Sequence, residues 1–277
     1  MSKLENWLTG ISTADYSTEN FKRFLDCGVK CCEISYGVYE EALKIDWKAL
    51  DKNAKETGII LWSYHLPFYP PTDIADLDKE KRAFAVKEDI ELIKKAANCG
   101  MGKMIIHASY EPITAEERAE KMKCSKEALA ILAEAAAKEG AVVCVEDLPR
   151  SCLGHDAKEV KELISADERL RVCFDVNHLL ITSGCTHKDF VDALGDKIVT
   201  THMSDYDFVD EKHFFCGNGD IDWKELVESL ENADYNGPFM YEGGFAPHRV
   251  RKEVPFGKIE DAHERHLTIK NYRGKNK

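Results

Sequence analysis

A chain of 277 residues, 44% hydrophobic and 32% charged, can bury one large core and has the ordinary composition of a soluble globular protein. Its formal charge of −12 argues against a surface built to hold nucleic acid, and no apolar run nears the roughly 18 residues of a membrane span. The start, "MSKLENWLTG", has no signal-peptide pattern and the ten cysteines form no Cys-x-x-Cys pair, so small buried thiols in a reducing cytoplasm are expected, not a zinc ribbon.

Short β-favouring runs follow one another at "NWLTGIS", "VKCCEIS", "GIILWSYH", "GKMIIHAS", "AVVCVED", "RVCFDVNH", "KIVTTHMSD" and "GPFMYEGG". Helical segments with apolar and charged faces separate them, among them "EERAEKMKCSKEALAILAEAAAKEG" and "DWKELVESLENA". Capping-box spacing predicts helix starts at Thr114, Asp156 and Asp222. Gly28, Gly58, Gly100 and Gly140 stand where C-terminal caps are expected. Eight strands with helices between them imply parallel pairing through crossovers. "GISTADYST" is not the phosphate turn of an open doubly wound sheet. The expectation is a single α/β domain over residues 1–277, a (β/α)8 TIM barrel.

Polarity falls late in each run. Glu33, His65, His107, Glu146, Asp175, His202 and Glu242 end seven of the eight predicted strands, and in such a barrel those ends meet at one mouth. Clustered carboxylates repel one another unless protonated or given a counter-charge, and a divalent cation supplies the strongest one. Oxygen ligands with one imidazole suit manganese first, with magnesium, cobalt or zinc as alternatives. Glu146, Asp175, His202 and Glu242 are the expected ligands of one such ion. His178, His65, His107, His213 and Glu33 are assigned to substrate binding. Further metal ligation stays open for His65, His107 and His178, and a supporting salt bridge for Glu33. "GNGDIDW" reads as a turn feeding a helix capped by Asp222, with His213 at the mouth. Arg249 and Arg251 are candidate phosphate or carboxylate contacts. Phe68 is expected to wall the pocket, and Trp62 to pack in the core.

"YHLPF", "IIHAS", "VEDLP", "CFDVNHLL", "THMSDYD", "HFFCGNGDIDW" and "MYEGG" together resemble the xylose isomerase-like TIM-barrel superfamily, in its sugar phosphate isomerase/epimerase branch. The resemblance runs from about Ile11 to Tyr272. It implies one divalent metal on Glu146, Asp175, His202 and Glu242, and a sugar or sugar phosphate substrate. It also implies proton transfer by Glu146 and Glu242 beside a metal-chelated carbonyl, through an enediolate, giving an epimerase or aldose–ketose isomerase. No nucleic-acid or membrane partner is expected; a homodimer or homotetramer is. The same superfamily includes endonuclease IV-like zinc-dependent repair nucleases, whose pattern His65, His107 and His178 also match. Glu211-Lys-His213 departs from that pattern by a glutamate in place of aspartate. An inosose dehydratase-like lyase is a further alternative. Cys152 and Phe208 stand where ketose 3-epimerases carry Glu and Arg, which loosens the link to a particular ketose.

Overall fold

The structure, a computed structural model, describes residues 7–243. Arg249 and Arg251 lie outside the described residues. Eight parallel strands run as β1 (Thr9–Thr13), β2 (Cys31–Ser35), β3 (Ile60–His65), β4 (Lys103–His107), β5 (Val142–Glu146), β6 (Arg171–Asp175), β7 (Ile198–His202) and β8 (Phe239–Tyr241). Hydrogen-bonded neighbours follow the order β7-β6-β5-β4-β3-β2-β1-β8. The barrel closes through a parallel bridge between Met203 and Tyr241, where Met203 N donates to Met240 O at 2.7 Å and Glu242 N to Met203 O at 3.1 Å. The expected (β/α)8 barrel is the architecture observed.

Helices α1 (Thr18–Asp26), α2 (Tyr39–Ala42), α3 (Trp47–Thr57), α4 (Lys79–Asn98), α5 (Ala115–Lys138), α6 (Ala157–Ile164), α7 (His187–Leu194) and α8 (Trp223–Asn232) lie along the crossovers. Each strand is followed by at least one helix among the described residues except β8, whose continuation lies beyond them. Thr114 closes a full capping box with Glu117. At Asp156 and Asp222 only the cap half forms, and Glu159 turns instead to Arg118. Gly58 caps α3 at φ 80°, and Gly28, Gly100 and Gly140 take the same left-handed conformation directly after their helices, as the sequence predicts.

The main core lies between the strands and the helix ring, where Phe21, Leu50, Ile93, Leu132 and Phe190 are buried. A smaller cluster of Ile105, Cys144 and Cys173 fills the barrel interior. None of the ten cysteines forms a disulfide, and most are buried. Two ladder irregularities bear on the mouth. The β2–β3 register passes from Cys32↔Leu61 to Glu33↔Ser63, skipping Trp62, and the β6–β7 register shifts between Val172 and Cys173. Such irregularities re-aim side chains. Trp62 meets Lys103 Nζ over its ring at 3.7 Å and Thr200 Oγ1 at 3.3 Å, away from the mouth.

Candidate metal centre

Side chains at or just past the ends of five other strands, β3, β4, β6, β7 and β8, gather around Glu146 at the C-terminal end of β5. His65 Nε2 and His107 Nε2 lie 3.0 and 3.1 Å from Glu146 Oε2. His202 Nδ1 is 2.8 Å from Glu146 Oε1, 3.3 Å from Glu242 Oε2 and 4.0 Å from Asp175 Oδ2. Glu146, Asp175, His202 and Glu242 each offer a ligand atom, and these atoms lie within 4.8 Å of one another. The four residues named as ligands from the sequence therefore meet at one point.

The group carries the electrostatic signs of a cation site. Asp175 Oδ1 accepts from Asn177 N at 2.8 Å, but Asp175 Oδ2 is buried and accepts no hydrogen bond. Burial, reinforced by the charges of Glu242 and Glu146, pushes the Asp175 carboxyl well above its usual range. Burial acts the same way on Glu146, yet His202 and His107 hold that carboxyl well below the usual range. Glu242 is likewise brought down to about 2 by His202 and His213 against burial. For His202 burial opposes protonation, and Cys173 together with the carboxylates of Glu242, Glu33 and Glu146 overcomes it. Among the described residues these carboxylates thus draw their positive partners from imidazoles alone, and one of their oxygens accepts no hydrogen bond. A divalent ion among the four fits both the donor chemistry and the orphaned oxygen.

The remaining candidates are placed as follows. His178, three residues past Asp175, turns Nε2 to Asp175 Oδ2 at 3.4 Å and to Glu211 Oε2 at 3.2 Å. Its Nδ1 faces Asp147 O at 2.7 Å, and His65 Nδ1 faces Leu66 O at 2.8 Å. A ring N–H donated to a carbonyl in this way leaves the other nitrogen free to act as a ligand. His213 lies 3.9 Å from both Glu242 Oε2 and Glu211 Oε2 and, with Asp175 and His178, forms a second candidate cluster. Glu33, assigned to the substrate with a supporting salt bridge left open, is fully buried, bonded to Ser12 and Ser63, 3.0 Å from His202 Nε2 and outside the cavity lining, surroundings that fit the supporting role.

Above the cluster opens a cavity of about 790 Å³, lined by His65, His107, Glu146, His178, His213 and Glu242 and walled by Phe68, Tyr69, Tyr110 and Phe214. Phe68 stacks on His107 at 4.5 Å, which keeps that imidazole face dry. Cys152 also lines the cavity, whereas Phe208 packs against Tyr206 and His187 beneath the rim.

Four residues outside the sequence-predicted set shape the mouth. Arg150 reaches Glu111 Oε1 at 2.7 Å, Asp210 Oδ1 at 2.8 Å and Glu211 Oε1 at 3.0 Å, joining the loops after β4, β5 and β7. Asn177 Oδ1 accepts from Lys212 N at 2.8 Å and His213 N at 3.3 Å, holding the segment that carries Glu211. Asp205 accepts from Gly217 N, Ile221 N and Trp223 Nε1 at 2.8, 3.2 and 2.9 Å. In "GNGDIDW" Gly217 N and Ile221 N thus go to a buried carboxylate, while Asn218 N and Asp220 N go to the carbonyls of Phe215 and Tyr206, and Asp222 caps α8 as expected. Of the four, only Glu211 had a sequence signal, in the Glu-Lys-His spacing before the Gly-Asn-Gly turn.

A family model described as xylose isomerase-like TIM barrel matches residues 21–258. An uncharacterized protein of Methanocaldococcus jannaschii is 25% identical over 186 residues, which span 64% of this chain and 62% of that relative. Among solved structures, a D-tagatose 3-epimerase-like protein superposes with a TM-score of 0.80 at 20% identity, covering 96% of this chain and 99% of the other. The Escherichia coli 3-keto-D-glucoside 4-epimerase gives 0.75 at 19%, covering 95% and 99%. The Clostridium cellulolyticum D-psicose 3-epimerase, crystallised with D-tagatose, gives 0.77 at 18%, covering 96% and 98%. At such identities the likeness is one of fold.

Proposed function

The chain belongs to the xylose isomerase-like TIM barrel family, and from that premise we propose that it is a divalent-metal-dependent sugar isomerase or epimerase, acting on a small sugar or sugar phosphate. The observation that carries the reading is the meeting of Glu146, Asp175, His202 and Glu242 within 4.8 Å beneath an open cavity. Epimerases among the solved structures of like fold and length support it.

Glu146, Asp175, His202 and Glu242 would hold the ion, manganese in the first instance. When bound, it would supply Lewis acidity toward adjacent carbonyl and hydroxyl oxygens, acidifying the neighbouring C–H. The protein's own part is proton movement. Glu242 is the more accessible glutamate, with 19% of its side chain exposed against 1% for Glu146. We assign Glu242 one proton transfer, and Glu146 the other from the far side of the substrate carbon. General acid–base catalysis of this kind contributes roughly 10²–10⁴-fold. His107, His178 and His213 face the cavity and would bind substrate hydroxyls, and the aromatic wall would cover the apolar face of a sugar ring.

A metal-dependent phosphodiester hydrolase of the endonuclease IV type is the second reading. It is favoured by two of the further clusters, His65 with His107 and Glu146, and Asp175 with His178 and His213. Against it, the cavity sets Glu111, Glu146, Asp207, Glu211 and Glu242 against Arg150 and Lys212, a poor lining for a polyanion. Solvent-deuterium incorporation, followed by NMR over a panel of ketoses and ketose phosphates with added manganese, tests the first reading. Exchange at one carbon of one substrate is expected; no exchange with any of them, alongside cleavage of abasic DNA, would replace it with the second.

A further inference from the structure

Glu33 is a fully buried carboxylate in a chain that gives it no route to the cavity. Burial of such a group is costly unless it is partnered. Its partners come from both neighbouring strands. Ser12 stands opposite it on β1, and Ser63 is brought opposite it on β3 because the ladder skips Trp62. Ser12 Oγ donates to Oε1 at 3.1 Å and Ser63 Oγ to Oε2 at 2.7 Å. So clamped, Oε1 sits 3.0 Å from His202 Nε2, on the opposite side of the ring from the ligand cluster. Nε2 has no aligned hydrogen bond, so the charge of Glu33 is its nearest compensation.

We propose that Glu33, held by Ser12 and Ser63, is a positioning residue for the metal centre: it keeps the His202 proton on Nε2 and presents Nδ1 to the ion. The inference rests on the reading that Glu146, Asp175, His202 and Glu242 hold a divalent cation. The two ring nitrogens then have separate tasks. Nδ1 faces Glu146, Glu242 and Asp175, while Nε2 faces a carboxylate outside the ligand group and the cavity lining. A carboxylate behind a ligating imidazole fixes its tautomer and raises its basicity, and losing it typically costs 10–100-fold in metal affinity.

The test uses Co²⁺ as the probe, with affinity from competition against a chelator and ligand geometry from the visible absorption of the bound ion. Glu33→Gln keeps the shape and the serine contacts but removes the charge. It is expected to bind Co²⁺ about 10–100-fold more weakly than the wild type, with an altered spectrum. The apo melting temperature, measured in parallel, separates metal tuning from loss of fold. Should Glu33→Gln fail to fold, Ser63→Ala, which frees one oxygen of the clamp, is expected to weaken Co²⁺ binding in the same direction by a smaller factor. Wild-type affinity and an unchanged spectrum in the variant that folds would overturn the assignment while leaving the metal centre standing. A wild-type protein that binds no Co²⁺ would instead remove the metal centre, and this role for Glu33 with it.

Discussion

Replacing His187 probes how the core beneath the mouth responds to acid. The residue opens α7, is buried, and lies against Phe174, Phe208 and Tyr206. Its Nε2 donates to Val176 O at 2.8 Å, just past the proposed ligand Asp175. Burial lowers its pKa from 6.5 to about 4, only partly offset by that carbonyl. The folded chain therefore resists protonation where the unfolded chain accepts it, so stability rises with pH across this window. Its contribution is complete above about pH 6.5 and is lost on the way down to about 4. A shift of this size corresponds to roughly 3 kcal/mol over the whole window, and to about 1 kcal/mol between pH 6 and 5. Urea unfolding of the wild type and of His187→Gln, at several pH values from 7 to 4.5, measures it directly. The variant starts from a lower stability and loses less on acidification, the gap in slope being about one proton. Parallel pH dependences in the two proteins would refute the assignment, because an imidazole that ionises alike in both states contributes no slope.

Glu242→Gln and Glu146→Gln are each expected to abolish turnover while circular dichroism and melting stay close to wild type; near-normal activity in either would end the two-glutamate proposal. Exhaustive chelation should remove activity and added manganese or cobalt restore it, with elemental analysis near one ion per chain. A content near three zinc ions would favour the hydrolase reading. Gly219→Ala should destabilise the protein or prevent its folding, because the added Cβ would stand 2.3 Å from Asp205 Oδ1 and 2.4 Å from Tyr206 O, which denaturant midpoints will report. Asp205→Ala should cost several kcal/mol by stranding Gly217 N, Ile221 N and Trp223 Nε1, on the scale of 1–3 kcal/mol for each buried donor left unpaired.

The barrel and the meeting of the four proposed ligands could be read from the chain because each rests on a local signal. A strand shows as a short apolar run, and its functional residue sits at a fixed end of that run, as Glu146 and Asp175 do. Arg150 carried no such signal. It lies four residues past Glu146 in a turn, and its partners at 111, 210 and 211 are set by how three loops fold over one another. For Glu33 the strand-end pattern left a substrate contact and a supporting salt bridge both open, and its contact with His202 fits the second. The skipped Trp62 sets it opposite Ser63, and a one-residue register change leaves no mark in the hydrophobic sequence. Asp205 was hidden for a related reason, since the "THMSDYD" segment gives no hint that the following turn wraps one of its two aspartates.

The guanidinium of Arg150 has a consequence for anyone who would redesign this mouth. In TIM barrels the loops above the strands are commonly treated as separable inserts on an indifferent scaffold. Here one side chain, held at a left-handed backbone position with φ 55°, is stitched into two neighbouring loops at once. Transplanting the loop that carries Arg150 would leave carboxylates on the other two facing one another with nothing between them, and transplanting either of those would strip Arg150 of a partner. The sensible unit of exchange is the trio, moved as a single cassette.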